Sequence, residues 1–105
     1  MNAYTLQNNG GQVLIKPLGK LTATEVPALQ GDLKTELDQG ANQAVFDFAE
    51  TEMLDSSGIG LLIAVYNTLN RRQGKLQVTN VSAEIMQLLQ SMRLAGRLQA
   101  TTRSA

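Results

Sequence analysis

The fold is decided by one stretch, FDFAETEMLDSSGIGLL, which occupies residues 46–62. It begins as a short apolar strand, continues as a polar connection, and passes through an Asp-Ser-Ser-Gly step at residues 55–58 into a strongly apolar helix. The N-terminus of a helix has unpaired backbone N–H groups and a partial positive charge, so it tolerates anions such as phosphate. A serine at this place can be a helix cap, a nucleophile or a phosphoacceptor, and the functional question is which of the three it is.

The composition favours one compact domain. The chain has 105 residues, of which 43% are hydrophobic, and this is enough for a core in a domain of this size. Nine basic and nine acidic residues give a formal net charge of zero. Direct binding of nucleic acid normally needs a basic excess, and stacking on bases needs more aromatic side chains than the four present, so we expect no direct nucleic-acid partner.

Two residue types are missing, and their absence excludes several kinds of site. The sequence has no cysteine, so a disulfide, a thiolate metal site and a cysteine nucleophile are excluded. It has no histidine, so a Ser-His-Asp relay cannot form and the usual general base is missing. We expect no catalytic residue, no cofactor and no metal.

The sequence gives no sign of targeting to a membrane. The N-terminus, residues 1–4, lacks a basic region followed by an apolar stretch, and the longest apolar run, residues 59–66, is too short to span a bilayer. The expectation is therefore a cytoplasmic protein with no membrane partner.

Turn and capping signals divide the first half of the chain. The Asn-Asn-Gly-Gly sequence at residues 8–11 predicts a hairpin between strands at 3–7 and 12–18. The sequence Thr-Ala-Thr-Glu at 22–25 fits a capping box that begins a helix, and Gly40 is a plausible stop for it.

Periodicity and glycines divide the second half. The run at 44–48 has no polar alternation beyond Asp47, which is typical of a buried central strand. The other expected elements are a helix after the Asp-Ser-Ser-Gly step ending at Gly74, a strand at 75–79, a helix capped by Ser82 and ended by Gly96, and a short strand at 98–101. The fold class is therefore α/β, with a mixed sheet of four to five strands, an N-terminal hairpin and three main helices. We expect a domain over residues 1–100 and a mobile tail over residues 101–105.

The serine step has three local interpretations. Asp55 or Ser56 can be an ordinary N-cap. A nucleophilic Ser56 has no base, and Leu54 stands where a nucleophile elbow needs its first glycine. A dinucleotide cradle is also weak, since Ile63 stands where the third glycine should be.

The helix that follows is apolar around more than half of its circumference, and this also has two interpretations. It can be a buried central helix, or Ile59, Ile63 and their neighbours can emerge beside Ser56 as a docking surface. The methionines at 53, 86 and 92 are expected to fill the core.

The run Leu-Asp-Ser-Ser-Gly-Ile-Gly at 54–60, placed after a Phe-Asp-Phe strand, strongly resembles the STAS domain of bacterial anti-sigma factor antagonists. The likeness covers nearly the whole chain. It includes the opening hairpin, the Gly-x-Leu turn at 19–21, the Gly-Lys-Leu strand start at 74–76 and the Ser-Met-Arg-Leu stretch at 91–94.

The resemblance implies a partner-switching protein. In the family, the serine directly after the aspartate is phosphorylated by a serine kinase that is also the anti-sigma factor, and here that serine is Ser56. The unphosphorylated protein binds the kinase and releases its sequestered target, and a serine phosphatase removes the phosphate again. The partner-binding residues implied by the resemblance are Asp55, Ser56, Ser57, Gly58 and Ile59.

One departure from the family pattern stands before the first helix. Many members read Gly-Glu-Leu-Asp where this chain reads Gly-Lys-Leu-Thr at residues 19–22, so both acids are missing. An alternative from another functional class is a STAS subunit of a lipid-transport ATPase complex, which would use the same surface for constitutive assembly. A small enzyme that uses carboxylates is a third alternative, but no acids stand paired at catalytic spacing.

Overall fold

The computed structural model describes residues 3–103, and it alternates strands with helices along the chain. The ten elements are β1 (Tyr4–Asn9), β2 (Gln12–Pro17), β3 (Gly19–Leu21), α1 (Val26–Asp38), β4 (Gln43–Asp47), β5 (Thr51–Leu54), α2 (Ser56–Arg71), β6 (Lys75–Val81), α3 (Ala83–Ser91) and β7 (Ala100–Thr102).

The main sheet has five strands in the order β1-β2-β4-β6-β7. The hairpin strands β1 and β2 are antiparallel, and the other neighbours are parallel. The α/β class, the mixed sheet with its N-terminal hairpin and the three helices are therefore confirmed. A second sheet pairs β3 with β5 in parallel, and the sequence did not predict it.

The glycines of the Asn-Asn-Gly-Gly turn have the conformation that a tight hairpin needs. Gly10 and Gly11 have φ angles of 64° and 93°, and the side chain of Asn8 accepts a 3.0 Å hydrogen bond from the Gly11 N–H. The strand that leaves this turn ends one residue earlier than predicted, at Pro17.

The sheet buries one face, and the helices pack on it. Register pairs place six buried side chains on this face, namely Val13, Ile15, Ala44, Phe46, Leu76 and Val78. On the opposite face Val45 is half-buried, and its β6 partner Gln77 is exposed. The prediction of a buried central strand is confirmed, because β4 lies in the middle of the sheet and its side chains Ala44 and Phe46 are buried on the covered face.

Helix α1 begins later than its capping box predicted. Only the glutamate half of the box forms: Glu25 Oε1 accepts 2.9 Å from the Thr22 N–H and 2.7 Å from the Thr22 hydroxyl. The Thr22 hydroxyl thus donates to the carboxylate instead of capping the helix, and regular helix starts at Val26.

The sequence predicted that Gly40, Gly74 and Gly96 end the three helices, and two of these helices end at other residues. Gly40, at φ 103°, does follow the end of α1. After α2 it is Gln73 that has a positive φ, of 60°, whereas Gly74 is needed because an added Cβ would overlap the backbone of Asn42. Helix α3 ends at Ser91, before Gly96.

The C-terminal residues extend the domain further than the sequence suggested. Strand β7 runs to Thr102 and pairs with β6, so residues 101 and 102 of the expected tail belong to the sheet edge. Residues 104 and 105 of the expected tail lie outside the described residues.

Arg103 holds this last strand to the rest of the domain. Its backbone N–H donates 3.1 Å to the carbonyl of Val81, and its Nε donates 2.9 Å to the carbonyl of Asn80. Its Nη2 donates to two further carbonyls, Phe48 at 2.7 Å and Thr51 at 2.9 Å. The guanidinium therefore fixes the connection from β4 to β5, which leads directly into α2.

The methionines do not all lie in the core. Met86 is buried, but Met92 is exposed and Met53 has 58% of its surface exposed. The expectation that all three fill the core is therefore wrong for Met53 and Met92. Within residues 3–103, no helix is both long enough and apolar enough to cross a membrane.

Candidate functional site

The Asp-Ser-Ser-Gly step forms the N-terminus of α2, and Asp55 is its cap. Asp55 has an extended backbone, and its Oδ1 accepts a 3.0 Å hydrogen bond from the Gly58 N–H. Ser56 is the first residue of the helix and so does not cap it. Of the two capping residues that the sequence allowed, the structure selects Asp55.

The second oxygen of the same carboxylate reaches another element. Asp55 Oδ2 accepts a 3.0 Å hydrogen bond from the backbone N–H of Ala23, in the turn between β3 and α1. Backbone N–H donors hold the pKa of Asp55 below its ordinary value, and the hydrogen bond from Gly58 is the largest cause. Desolvation of the carboxylate raises the pKa, whereas the N–H groups of Ala23 and Ser57 lower it further. The aspartate is therefore a charged link between α2 and the β3–α1 turn.

Gly58 is required because the helix start lies against β3. An added Cβ would overlap the carbonyl oxygen of Leu21 and would come within 2.6 Å of the Leu54 Cδ1. Gly60 is different, since nothing lies within 4 Å of the place where its Cβ would be. Of the two glycines, only Gly58 is therefore required by a close approach to its neighbours.

The five residues implied as partner-binding differ in exposure. Ser56 is exposed, and Asp55 and Ser57 are half-buried. Gly58 is buried and Ile59 is only 5% exposed. The docking surface formed by Ile59 is therefore absent from this conformation, and the buried-helix interpretation holds for that side chain.

The β3–β5 pair adds exposed side chains that the sequence reasoning missed. Lys20 and Met53 are register partners, and both are exposed. Leu18, just before β3, is 37% exposed. Strands of three and four residues have too few positions to show an apolar period. The only signal in the sequence was therefore the presence of two hydrophobic residues, Leu18 and Met53.

A carboxylate lies beside Thr22 although the family's aspartate is missing there. Glu25 is 9% exposed and binds both the N–H and the hydroxyl of Thr22. The hydrogen bond from the Thr22 side chain is the largest cause that holds the pKa of Glu25 below its ordinary value. Desolvation raises this pKa, and the positive charge of Lys20 lowers it. The turn next to Asp55 therefore carries a negative charge through Glu25.

Few of the side chains that activate a serine or hold a metal ion are available to Ser56. The sequence has no histidine or cysteine, and residues 3–103 contain no group of three acidic, histidine or cysteine side chains that could hold a metal ion. Within the same residues the Ser56 side chain forms no hydrogen bond with another side chain. An exposed hydroxyl at the first turn of a helix remains open to a kinase.

Comparison with known proteins places this fold in a family. The family model described as "Mlab, STAS domain" matches residues 4–100. No curated protein matches the chain.

Three solved structures of high similarity are anti-sigma factor antagonists or their domains. The anti-sigma factor antagonist SpoIIAA in its unphosphorylated form is 26% identical, with a TM-score of 0.76, over 84% of this chain and 82% of that one. The Bacillus cell fate determinant SpoIIAA in its phosphorylated form is 24% identical, with a TM-score of 0.79, over 95% and 92%. An anti-sigma-factor antagonist (STAS) domain protein from Planctomyces limnophilus is 17% identical, with a TM-score of 0.81, over 99% and 92%.

The family match spans nearly all of the described chain, and these neighbours share its sheet and helices. The chain belongs to the STAS-domain family.

Proposed function

We propose that this chain is an anti-sigma factor antagonist of a bacterial partner-switching system, acting in the cytoplasm and without catalysis of its own. Its unphosphorylated form binds an anti-sigma factor that is also a serine kinase, and this binding releases the target that the kinase had sequestered. Phosphorylation of Ser56 abolishes binding, and a serine phosphatase restores it. The observation that carries the proposal is the exposed hydroxyl of Ser56 directly after the capping aspartate.

The partner surface consists of exposed or half-buried groups around this hydroxyl. Ser56 and Ser57 provide its polar part, and Lys20 and Met53 provide a cation and an apolar contact from the neighbouring β3–β5 sheet. Gly58 and Ile59 support this surface indirectly, because they pack the start of α2 against β3 and the core. Asp55 holds the β3–α1 turn beside the same surface.

A phosphate on Ser56 would strongly change the charge of this surface. It adds about −1.5 to −2 charges at neutral pH. The helix N-terminus stabilises that charge within the domain, but the carboxylate of Asp55 lies next to it in sequence and repels it. Among the described residues Asp55 forms no ion pair that could offset the repulsion. A partner packed on Ser56 would therefore meet an added negative charge that binding would have to desolvate.

Release by occlusion agrees with the structural neighbours. SpoIIAA matches this chain in both its unphosphorylated and its phosphorylated forms, with TM-scores of 0.76 and 0.79. The two values differ little, so the same fold accommodates both states. We therefore propose that phosphorylation blocks the contact without refolding the antagonist.

The test is phosphorylation by the cognate kinase, followed by mass spectrometry of the peptide that contains residues 55–58. The proposal expects one phosphate, on Ser56, in the wild type and in Ser57→Ala, and none in Ser56→Ala. Ser57→Ala is the matched control, because it removes the neighbouring hydroxyl and keeps the acceptor. Phosphate on Ser57, or none at all, would exclude Ser56 as the switch.

A second candidate is a STAS subunit of a lipid-transport ATPase complex. It is retained because the matching family model is described as "Mlab" rather than as an antagonist. In that case the surface around Ser56 would assemble constitutively with an ATPase. A gene for a kinase and one for a phosphatase beside this gene favour the first candidate, whereas genes for a permease and an ATPase favour the second.

A further inference from the structure

The chain is neutral as a whole, but its charges are segregated along the sequence. Residues 1–55 carry eight acidic and three basic residues, whereas residues 56–105 carry six basic and one acidic. The second group includes α2, β6, α3 and β7. The formal net charge of the chain is zero, but its second half is strongly cationic.

All of these cations except Arg103 collect at the end of the domain opposite to Ser56, near the C-termini of α2 and α3. Helices α2 and α3 lead directly into β6 and β7, so their C-termini lie close to where these strands begin. Arg71 ends α2, and Arg93 follows the end of α3. Lys75 begins β6, and Arg97 lies in the segment that leads to β7.

A concave site lies within this cationic end. A cavity of about 250 Å³ opens between the end of α2, the start of β6 and the segment before β7. Its polar lining consists of Tyr66, Asn70, Lys75, Arg97 and Gln99. Every one of these side chains can donate a hydrogen bond, and two of them are cationic.

The two cations of the cavity are available for a ligand. Within residues 3–103 the ion pairs are formed by Lys16 and Lys34, so neither Lys75 nor Arg97 lies within 4.0 Å of a carboxylate. Both side chains are exposed, and neither donates a side-chain hydrogen bond elsewhere in that part of the chain. The cavity therefore combines several donors with no internal anion.

We propose that this cavity binds the phosphate group of a small, soluble phosphorylated ligand. The guanidinium of Arg97 can bind two phosphate oxygens at once, and the ammonium of Lys75, which lines the same cavity, adds a point charge. The amides of Asn70 and Gln99 and the phenol of Tyr66 supply neutral donors around the same space. The small, concave volume fits one such group better than an extended polyanion, which would need a longer basic surface.

Titration of the whole chain with sodium pyrophosphate at low salt, followed by amide chemical shifts, tests the site. The expected result is a saturable shift of the amides of Gly74, Lys75, Gly96 and Arg97, with no comparable shift at Ser57 and Gly58. Shifts confined to the start of α2, or none at all, would overturn the proposal, and this outcome does not depend on any variant.

Variants test the assignment to these two cations. The double substitution Lys75→Gln and Arg97→Gln should weaken pyrophosphate binding by about tenfold or more, since both charge-assisted contacts are lost. Lys34→Gln, which removes a cation elsewhere on the surface, should leave the affinity unchanged. Equal binding by the double variant would overturn the assignment, and so would binding to phosphatidylglycerol vesicles with no response to pyrophosphate.

Discussion

The carboxylate of Asp55 accepts a hydrogen bond of 3.0 Å from the backbone N–H of Ala23, a residue 32 positions earlier in the chain. The same carboxylate caps α2 through the Gly58 N–H, so one side chain fixes both the helix that presents Ser56 and the turn beside it. The aspartate before the phosphoacceptor therefore has a structural role of its own.

Acid should weaken this link. The pKa of Asp55 in the folded state lies below its ordinary value of 3.8, so around that pH the unfolded chain binds more protons. The stability that Asp55 contributes is thus present above pH 3.8 and is lost as the pH falls through its folded-state pKa. Glu25 has a lowered pKa too and adds a loss of the same sign below 4.5.

Urea unfolding as a function of pH measures this effect. Asp55→Asn should lower the urea midpoint at pH 7, and the difference from the wild type should shrink as the pH approaches 3. Glu52→Gln is the matched control, since Glu52 is exposed and accepts no hydrogen bond within residues 3–103. A constant difference between Asp55→Asn and the wild type at all pH values would contradict the pKa argument.

The two glycines of the helix start should respond to alanine in opposite directions. Gly58→Ala places a Cβ on the Leu21 carbonyl and should cost about 1–3 kcal/mol in the free energy of unfolding. Gly60→Ala meets nothing within 4 Å in a helix interior and should stabilise the domain by up to about 1 kcal/mol. Urea unfolding decides both, and equal effects would contradict the close approach of α2 to β3.

Arg103 should stabilise the domain although it stands near the C-terminus. Arg103→Lys cannot reach all three carbonyls that the guanidinium binds, and it should cost about 1–3 kcal/mol in the free energy of unfolding. Arg93→Lys, at an exposed arginine with no such contacts within the described chain, should cost much less. If the two substitutions cost the same, the contacts of Arg103 contribute nothing.

The sequence predicted those elements whose pattern extends over several turns or depends on neighbouring residues. The apolar period of α2 extends over four turns, and the Asp-Ser-Ser-Gly step marks its start, so the helix and the place of Ser56 could both be predicted. The hairpin was predictable too, because Gly10 and Gly11 provide the positive φ angles that its turn requires.

The features that were missed depend on distant contacts. Arg103 binds carbonyls 52 and 55 positions earlier in the chain, and no local pattern indicates such a pair. Met53 has the composition of a core residue, yet β5 lies in a separate two-stranded sheet and leaves it exposed. Both features had to be found from the structure.

The most direct test of the switch is the affinity for the cognate kinase of the chain phosphorylated on Ser56, compared by calorimetry with that of the unmodified chain. We expect binding to weaken by about a hundredfold, which corresponds to about 2.7 kcal/mol. Ser56→Glu should show the same direction of change, Ser56→Ala should bind as the unmodified chain does, and circular dichroism should show the same fold in all forms. Equal affinity of the phosphorylated and unmodified chains would contradict the account.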